Sequence, residues 1–96
     1  MRVVFRSAAT SDVDAAYEWY ENQRKGLGSA FRMAIDAAVE LIAAKPSAFP
    51  VVRRDIRRVL LTRFPYAMFY RVVGVEVVVE ACIHAKRHPR AWRSRL

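Results

Sequence analysis

One cysteine, three glycines and four prolines in 96 residues leave little irregular chain, and each shortage excludes a class of protein. Cys82 alone cannot close an intramolecular disulfide, so a cross-linked secreted knot is out and a reducing compartment fits. The glycines fall at two turns, Gly26 and Gly28 in one and Gly74 in the other, which leaves no Gly-rich phosphate loop. No apolar run approaches the roughly 18–20 residues of a membrane span, so no membrane association is expected. The opening Met1-Arg2-Val3-Val4-Phe5-Arg6 is too short for the apolar core of a signal peptide, and a cytoplasmic location follows as the expectation. Acidic residues are also scarce, and unevenly so. Residues 49–96 carry Asp55, Glu76 and Glu80 against eleven Lys and Arg, whereas residues 1–48 carry six of each sign.

The net charge of +8 therefore belongs to the second half. It is carried mostly by arginine, whose planar fork pairs bidentately with carboxylate or phosphate. A charge spread for solubility alone would not be confined to one half, so a surface that faces a polyanion is expected. An apolar share of 54% means that this is a folded domain and not a disordered basic tail. At this length about 60–70% of the unfolded surface can be buried, enough for one core without cross-links. A single domain over residues 1–96 is the expected organisation.

Periodicity gives the elements. Val3, Val4 and Phe5 read as a short strand. Ser11 with Asp14 three residues on, and Thr10 competing, predicts a helix start. Val13, Ala16, Tyr17 and Tyr20 then follow helical spacing. After the break at Gly26 and Gly28, Leu27, Phe31, Ala34, Ile35, Ala38, Leu41 and Ile42 share one face of a second helix, which Pro46 stops. Two antiparallel helices are expected. Beyond Pro46 the period becomes two. A short Val51-Val52 strand, a strand from Arg57 to Arg63, a bend at Phe64-Pro65-Tyr66, and a hairpin of Ala67–Val73 with the last strand through Gly74 are predicted. In that last strand Val75, Val77, Val79, Ala81 and Ile83 alternate with Glu76, Val78, Glu80, Cys82 and His84. The first set is expected against the helices. The fold class is α+β with the order β-α-α-β-β-β, a helical hairpin on one face of a small, mostly antiparallel sheet.

Chemistry is harder to find. Cys82, His84 and His88 offer metal-ligand types without a fixed fourth partner, so no metal or other cofactor is expected. A Cys82–His84 nucleophile pair is awkward, because strand neighbours two apart point the same way without touching. General acid–base work has more to draw on. His84 ends the last strand among cations, Arg57, Arg58, Arg63 and Arg71 could clamp a phosphate, and Tyr70 or Tyr66 could supply a phenol. Those are parts of a metal-free ribonuclease. Of the two tryptophans, Trp19 and Trp92, at least one is expected to be exposed and able to anchor an interface. A stand-alone nucleic-acid-binding module is the weaker reading, since no readout motif is present.

Two segments resemble a known family. Arg57-Arg58-x₄-Arg63-Phe64-Pro65-Tyr66 followed by Phe69-Tyr70-Arg71, and the tail His84-x-x-Arg87-x-Pro89-x-x-Trp92-x-x-Arg95, are similar to the ParE/RelE superfamily of toxins from bacterial type II toxin–antitoxin modules. The resemblance covers essentially the whole chain and lies closer to the ParE-type, plasmid-stabilisation branch. It implies a RelE/ParE-like fold and a growth-arresting toxin neutralised by a cognate ParD-like antitoxin. The antitoxin's acidic C-terminal segment would meet Arg57, Arg58, Arg63 and Arg71 in a toxin–antitoxin hetero-oligomer. ParE-like members inhibit DNA gyrase by trapping a cleaved-DNA complex, with no catalytic group in the toxin; the contact is assigned to Arg87, Arg90, Trp92, Arg93 and Arg95. RelE-like members cut mRNA on the ribosome with Lys, Arg and Tyr residues of the open sheet face, for which His84, Tyr70, Arg63 and Arg71 are the candidates here. A further ribonuclease branch uses a His-Tyr pair near its C-terminus. Here Ala85 follows His84, and Lys86 is the only lysine beyond residue 45, which favours the gyrase reading.

Overall fold

A computed structural model describes residues 1–96. Strand β1 (Arg2–Phe5) is followed by helices α1 (Ser7–Gln23) and α2 (Leu27–Ala44) and by a single 3₁₀ turn at Pro46–Ala48. Then come β2 (Val51–Arg53), β3 (Ile56–Leu60), β4 (Tyr66–Val73), β5 (Glu76–His84) and a one-turn helix α3 (Arg90–Arg93). The five strands form one sheet in the order β1-β5-β4-β3-β2. Only β1 and β5 run parallel, in the register Arg2 opposite Glu76 through Phe5 opposite Val79. The α+β architecture holds; the short strand expected at Val51-Val52 is β2, between α2 and β3, so four strands follow the helices, and α3 comes after β5.

Helix α1 starts one turn earlier than Ser11 predicts. Arg6 donates its N–H to the Val79 carbonyl and accepts from the Thr10 N–H, both at 3.0 Å, so the chain passes from sheet to helix without a loop. Arg6 is the N-cap, and no side chain caps the helix. Ala9, Val13 and Ala16 form its buried stripe. The missing caps are made good at the next start. The Glu21 carboxylate accepts from the N–H groups of Gly26 (3.1 Å) and Gly28 (2.9 Å), satisfying donors that a helix N-terminus leaves open. Gly26 takes a left-handed φ of 90° as it turns into α2. Gly28 permits close approach: a Cβ there would stand 2.8 Å from the Tyr17 carbonyl oxygen. Phe31, Ile35, Ala38 and Ile42 of α2 are buried as expected, but Leu41 is 54% exposed, just past the edge of the stripe.

The main core fills the space between the helices and the sheet. Phe31, Ile42, Met68, Tyr70, Val77 and Val79 are almost wholly buried there. Tyr20, Phe31 and Phe64 form an aromatic cluster, with Phe64 edge-on to the other two at 4.9 and 5.4 Å. Strand β3 stops at Leu60 and not at Arg63, because the bend puts Arg63 in a left-handed conformation at φ 72°.

Strand β5 departs from strict alternation. Phe69 pairs with Ala81, but Tyr70 pairs with Val79, so Glu80 is an extra residue in the ladder. The slip exchanges the faces beyond it. Val77, Val79 and Cys82 pack with the helices, whereas Ala81 and Ile83 join Ile56, Ala67, Phe69 and Trp92 in a second core on the opposite face. The expectation that Val75, Val77, Val79, Ala81 and Ile83 would all meet the helices is corrected accordingly, and Val75 is 82% exposed at the hairpin tip. Glu80 uses its position to bond Arg6 Nε at 2.9 Å and to lie 3.5 Å from Arg71 Nε, joining β1, β4 and β5.

Candidate functional site

The tail is held at two points. Pro89 opens α3, and Trp92, 9% exposed, lies stacked on Phe69 with ring centroids 5.0 Å apart. Three residues on, the Arg95 guanidinium donates to both oxygens of Asp12, Nη1 to Oδ1 at 3.0 Å and Nη2 to Oδ2 at 2.9 Å. The same Asp12 Oδ2 accepts the backbone N–H of Cys82 at 2.9 Å. One carboxylate of α1 thus ties the last strand and the tail together. Nothing in the sequence singles Asp12 out among the six acids of the first 48 residues.

The five tail residues accordingly divide. Trp92 and Arg95 hold the tail in place. Arg87, Arg90 and Arg93 are exposed and enter none of the six ion pairs of the molecule. The Arg93 guanidinium lies 5.7 Å from the Trp92 ring centroid, within reach of a cation–π attraction.

The arginines before the tail do not form one cluster. Arg57 faces the helical side and donates to the carbonyls of Ser47 (3.2 Å) and Phe49 (2.7 Å), bracing the 3₁₀ turn. Arg58, its neighbour in β3, faces the other way and is half-buried opposite Phe69. Arg63 is exposed at the bend, 5.8 Å from the Phe64 ring centroid. Arg71 sits between Asp55 (3.7 Å) and Glu80 (3.5 Å).

Nor are His84, Tyr70, Arg63 and Arg71 brought together. Tyr70 is fully buried and its Oη donates to the Pro46 carbonyl at 2.6 Å, so its phenol is out of substrate's reach. Burial also pushes the Tyr70 pKa up, with Arg57 opposing. The tyrosine that meets His84 is Tyr66, opposite it in the ladder, with ring centroids 5.2 Å apart. Burial raises the pKa of Tyr66 as well, with Tyr20, Cys82 and Asp12 adding and Arg87 opposing, so the phenol stays protonated.

Tyr66 and His84 floor a cleft of about 450 Å³ between α1, the end of β5 and the tail. Asp12, Trp19, Arg87 and Arg95 are among its walls. Trp19 is the exposed tryptophan, at 57%. Cys82 is buried behind the cleft, and burial with the Asp12 carboxylate pushes its thiol up to about 12, far from a reactive thiolate. His88 stands apart in the tail, with its Nδ1 accepting the Arg90 N–H at 3.2 Å. No three His, Cys, Asp or Glu side chains are grouped to hold a metal, and no helix is long and apolar enough to cross a membrane.

The family described as ParE toxin of type II toxin-antitoxin system, parDE, matches residues 3–89, a span that stops before Arg90, Trp92, Arg93 and Arg95. No match is found among curated proteins. Among solved structures, the chain is similar to one from a chromosomal ParDE toxin–antitoxin system of P. aeruginosa, at 21% identity and a TM-score of 0.68, covering 90% of this chain and 97% of that one. It is similar to one from the intact E. coli RelBE toxin–antitoxin complex, at 20% identity and a TM-score of 0.65, covering 90% and 98%. The isolated E. coli RelE toxin gives 18% and 0.65, covering 97% and 93%. At these identities the structural likeness speaks for the fold.

Proposed function

This chain belongs to the ParE toxin family of type II toxin–antitoxin systems, and on that premise we propose that it arrests growth by binding DNA gyrase in the cytoplasm, with no catalytic step of its own. One observation carries the reading. Arg87, Arg90 and Arg93 stand unpaired on a tail that Trp92 and Arg95 hold in place, while Tyr70 and Arg71 are engaged elsewhere and Arg63 stands apart at the bend. A poison needs only a surface that favours one state of the enzyme–DNA complex and so shifts its population. Three exposed guanidiniums without an acidic partner, two on the α3 turn and one just before it, suit a phosphate-rich target. The family match ends before most of the tail, so this assignment rests on the tail's geometry.

A cognate, ParD-like antitoxin would hold the toxin inactive in a hetero-oligomer. Its acidic C-terminal segment would meet Arg58 and Arg63, with Arg57 and Arg71 supporting the strands beneath, a complementarity that speeds association. A second reading, a RelE-type ribosome-dependent mRNA endonuclease, draws on a different observation: His84 beside Tyr66 at the foot of the cleft.

Pulse-labelling of new DNA and new protein within minutes of expression without antitoxin separates the two. The gyrase reading expects DNA synthesis to fall first, with His84→Ala still toxic and Arg87→Ala/Arg90→Ala/Arg93→Ala impaired. An early fall in translation, abolished by His84→Ala in a folded protein, would replace it with the ribonuclease.

A further inference from the structure

The cleft between α1, β5 and the tail has a one-sided chemistry of which the gyrase reading uses only Arg87. Its only carboxylate is spent: Asp12 accepts two bonds from Arg95 and one from the Cys82 N–H. His84 Nδ1 accepts the Lys86 N–H at 3.1 Å, which leaves Nε2 to carry the proton of the neutral ring. Tyr66 Oη, Trp19 Nε1 and the Arg87 guanidinium have no partner within the chain, and each is a donor that a ligand could meet. The walls therefore present mostly donors, one unpaired cation and three flat rings, with the Tyr66 hydroxyl the one unengaged oxygen that could accept.

From this set we infer that the cleft is a nucleotide subsite, with a phosphate held by Arg87, Tyr66 and His84 and a base laid on Trp19. A phosphodiester brings acceptors and no donors, which matches walls of this kind. An acidic peptide would satisfy Arg87 equally well, but it adds an N–H at every residue, and the cleft has only the Tyr66 hydroxyl oxygen free to receive one. It would also leave the exposed indole without a flat partner, whereas every base has a face that stacks on an aromatic ring. The volume, about 450 Å³, is of the size that takes a small ligand. The subsite lies on the helical side of the sheet, away from Arg58 and Arg71, and does not depend on gyrase being the target. Its ligand is a free mononucleotide or one residue of a single strand.

The two tryptophans make the test direct. Trp92 is buried against Phe69, so a change in indole emission on adding ligand reports Trp19. Full-length protein is titrated at fixed ionic strength with thymidine monophosphate, a short oligothymidine and poly-glutamate of matched charge. Saturable quenching by the nucleotide ligands and not by poly-glutamate is expected. If both nucleotide ligands quench, the cleft accepts free nucleotides; if only the oligomer does, the ligand is a strand. By anisotropy of a labelled oligomer, Trp19→Ala should weaken binding about tenfold, the scale of one base–aromatic stack, while Trp19→Tyr, which keeps a ring, retains most of it. Arg87→Ala should weaken binding and lower its salt slope by about one phosphate. Lys45→Ala, which removes a distant cation, should change binding less than twofold. Quenching by poly-glutamate as strong as by the oligomer would assign the cleft to an acidic peptide and overturn the inference. Equal losses in Arg87→Ala and Lys45→Ala, with Trp19→Ala unaffected, would reduce it to general charge attraction.

Discussion

Replacing Asp12 by alanine tests the junction on which the cleft and the tail both depend. The substitution removes two separable things. The first is the acceptor for the Cys82 N–H, a backbone donor on a residue only 3% exposed. Leaving such a donor unsatisfied costs about 1–3 kcal/mol. The second is the bidentate pair with Arg95, whose side chains are 20% and 34% exposed. Solvent screens a pair at this depth, and about 1 kcal/mol is a fair upper figure. Asp12→Ala should therefore lose about 1–4 kcal/mol, a large part of the about 5–15 kcal/mol that holds a small domain folded. At about 4–8 °C per kcal/mol the melting temperature should drop by at least about 4 °C. Arg95→Ala, which breaks only the ion pair, should cost about 1 kcal/mol. Asp12→Asn keeps an oxygen for Cys82 and should fall close to Arg95→Ala. Urea unfolding of the three variants gives the ordering. If Asp12→Ala proves no worse than Arg95→Ala, or Asp12→Asn as damaging as Asp12→Ala, the Cys82 amide does not depend on this carboxylate and the reasoning fails.

Other perturbations give equally sharp signs. Gly28→Ala would gain about 1 kcal/mol of helix propensity in an open helix. Here the new Cβ meets the Tyr17 carbonyl at 2.8 Å, so a net loss of about 1–3 kcal/mol is expected, and a urea midpoint that rises would contradict the close approach. The Cys82 thiol, pushed up to about 12 when folded, ionises near 8.5 when unfolded. At alkaline pH the unfolded chain thus binds fewer protons, and stability should fall from about pH 8.5 upward by as much as about 1.4 kcal/mol per pH unit. Cys82→Ala should flatten that slope up to about pH 10, where the tyrosines whose pKa is raised add a fall of the same sign.

Much of the fold is legible in the residues because it follows from single-element periodicity. Phe31, Ile35, Ala38 and Ile42 repeat at helical spacing, and nothing else in the chain competes with that pattern. Strand β5 is different. Val77, Val78, Val79, Ala81, Cys82 and Ile83 are apolar on both faces, so alternation carries no phase, and a one-residue slip at Glu80 leaves no trace in composition. The start of α1 is obscured for a local reason: Ser11 and Asp14 form a capping pattern, but backbone bonds at Arg6 decide where the helix begins. Of the candidate site, the unpaired tail arginines are readable as charge excess. The Asp12–Arg95 pair is not, since 83 positions separate its partners and any of fourteen arginines could have been the match. Tyr70 misleads for the same reason: Tyr66 and Tyr70 both alternate correctly, and only the tertiary fold decides which phenol is buried on Pro46.

Strand β1 has a single neighbour in the sheet, and that neighbour is the last strand to be made. Arg2 to Phe5 find their partners at Glu76 to Val79, so this edge closes only once the chain has been made as far as Val79. Pairings between residues so far apart in sequence are slow to form, because the intervening loop must be closed before any contact repays it. A nascent chain that has not yet reached Glu76 has nowhere to place its first strand, and without the tail Asp12 has no Arg95. Synthesis beyond Arg95 is therefore a condition for this surface to exist at all, so a partner that meets a shorter nascent chain would meet a different molecule.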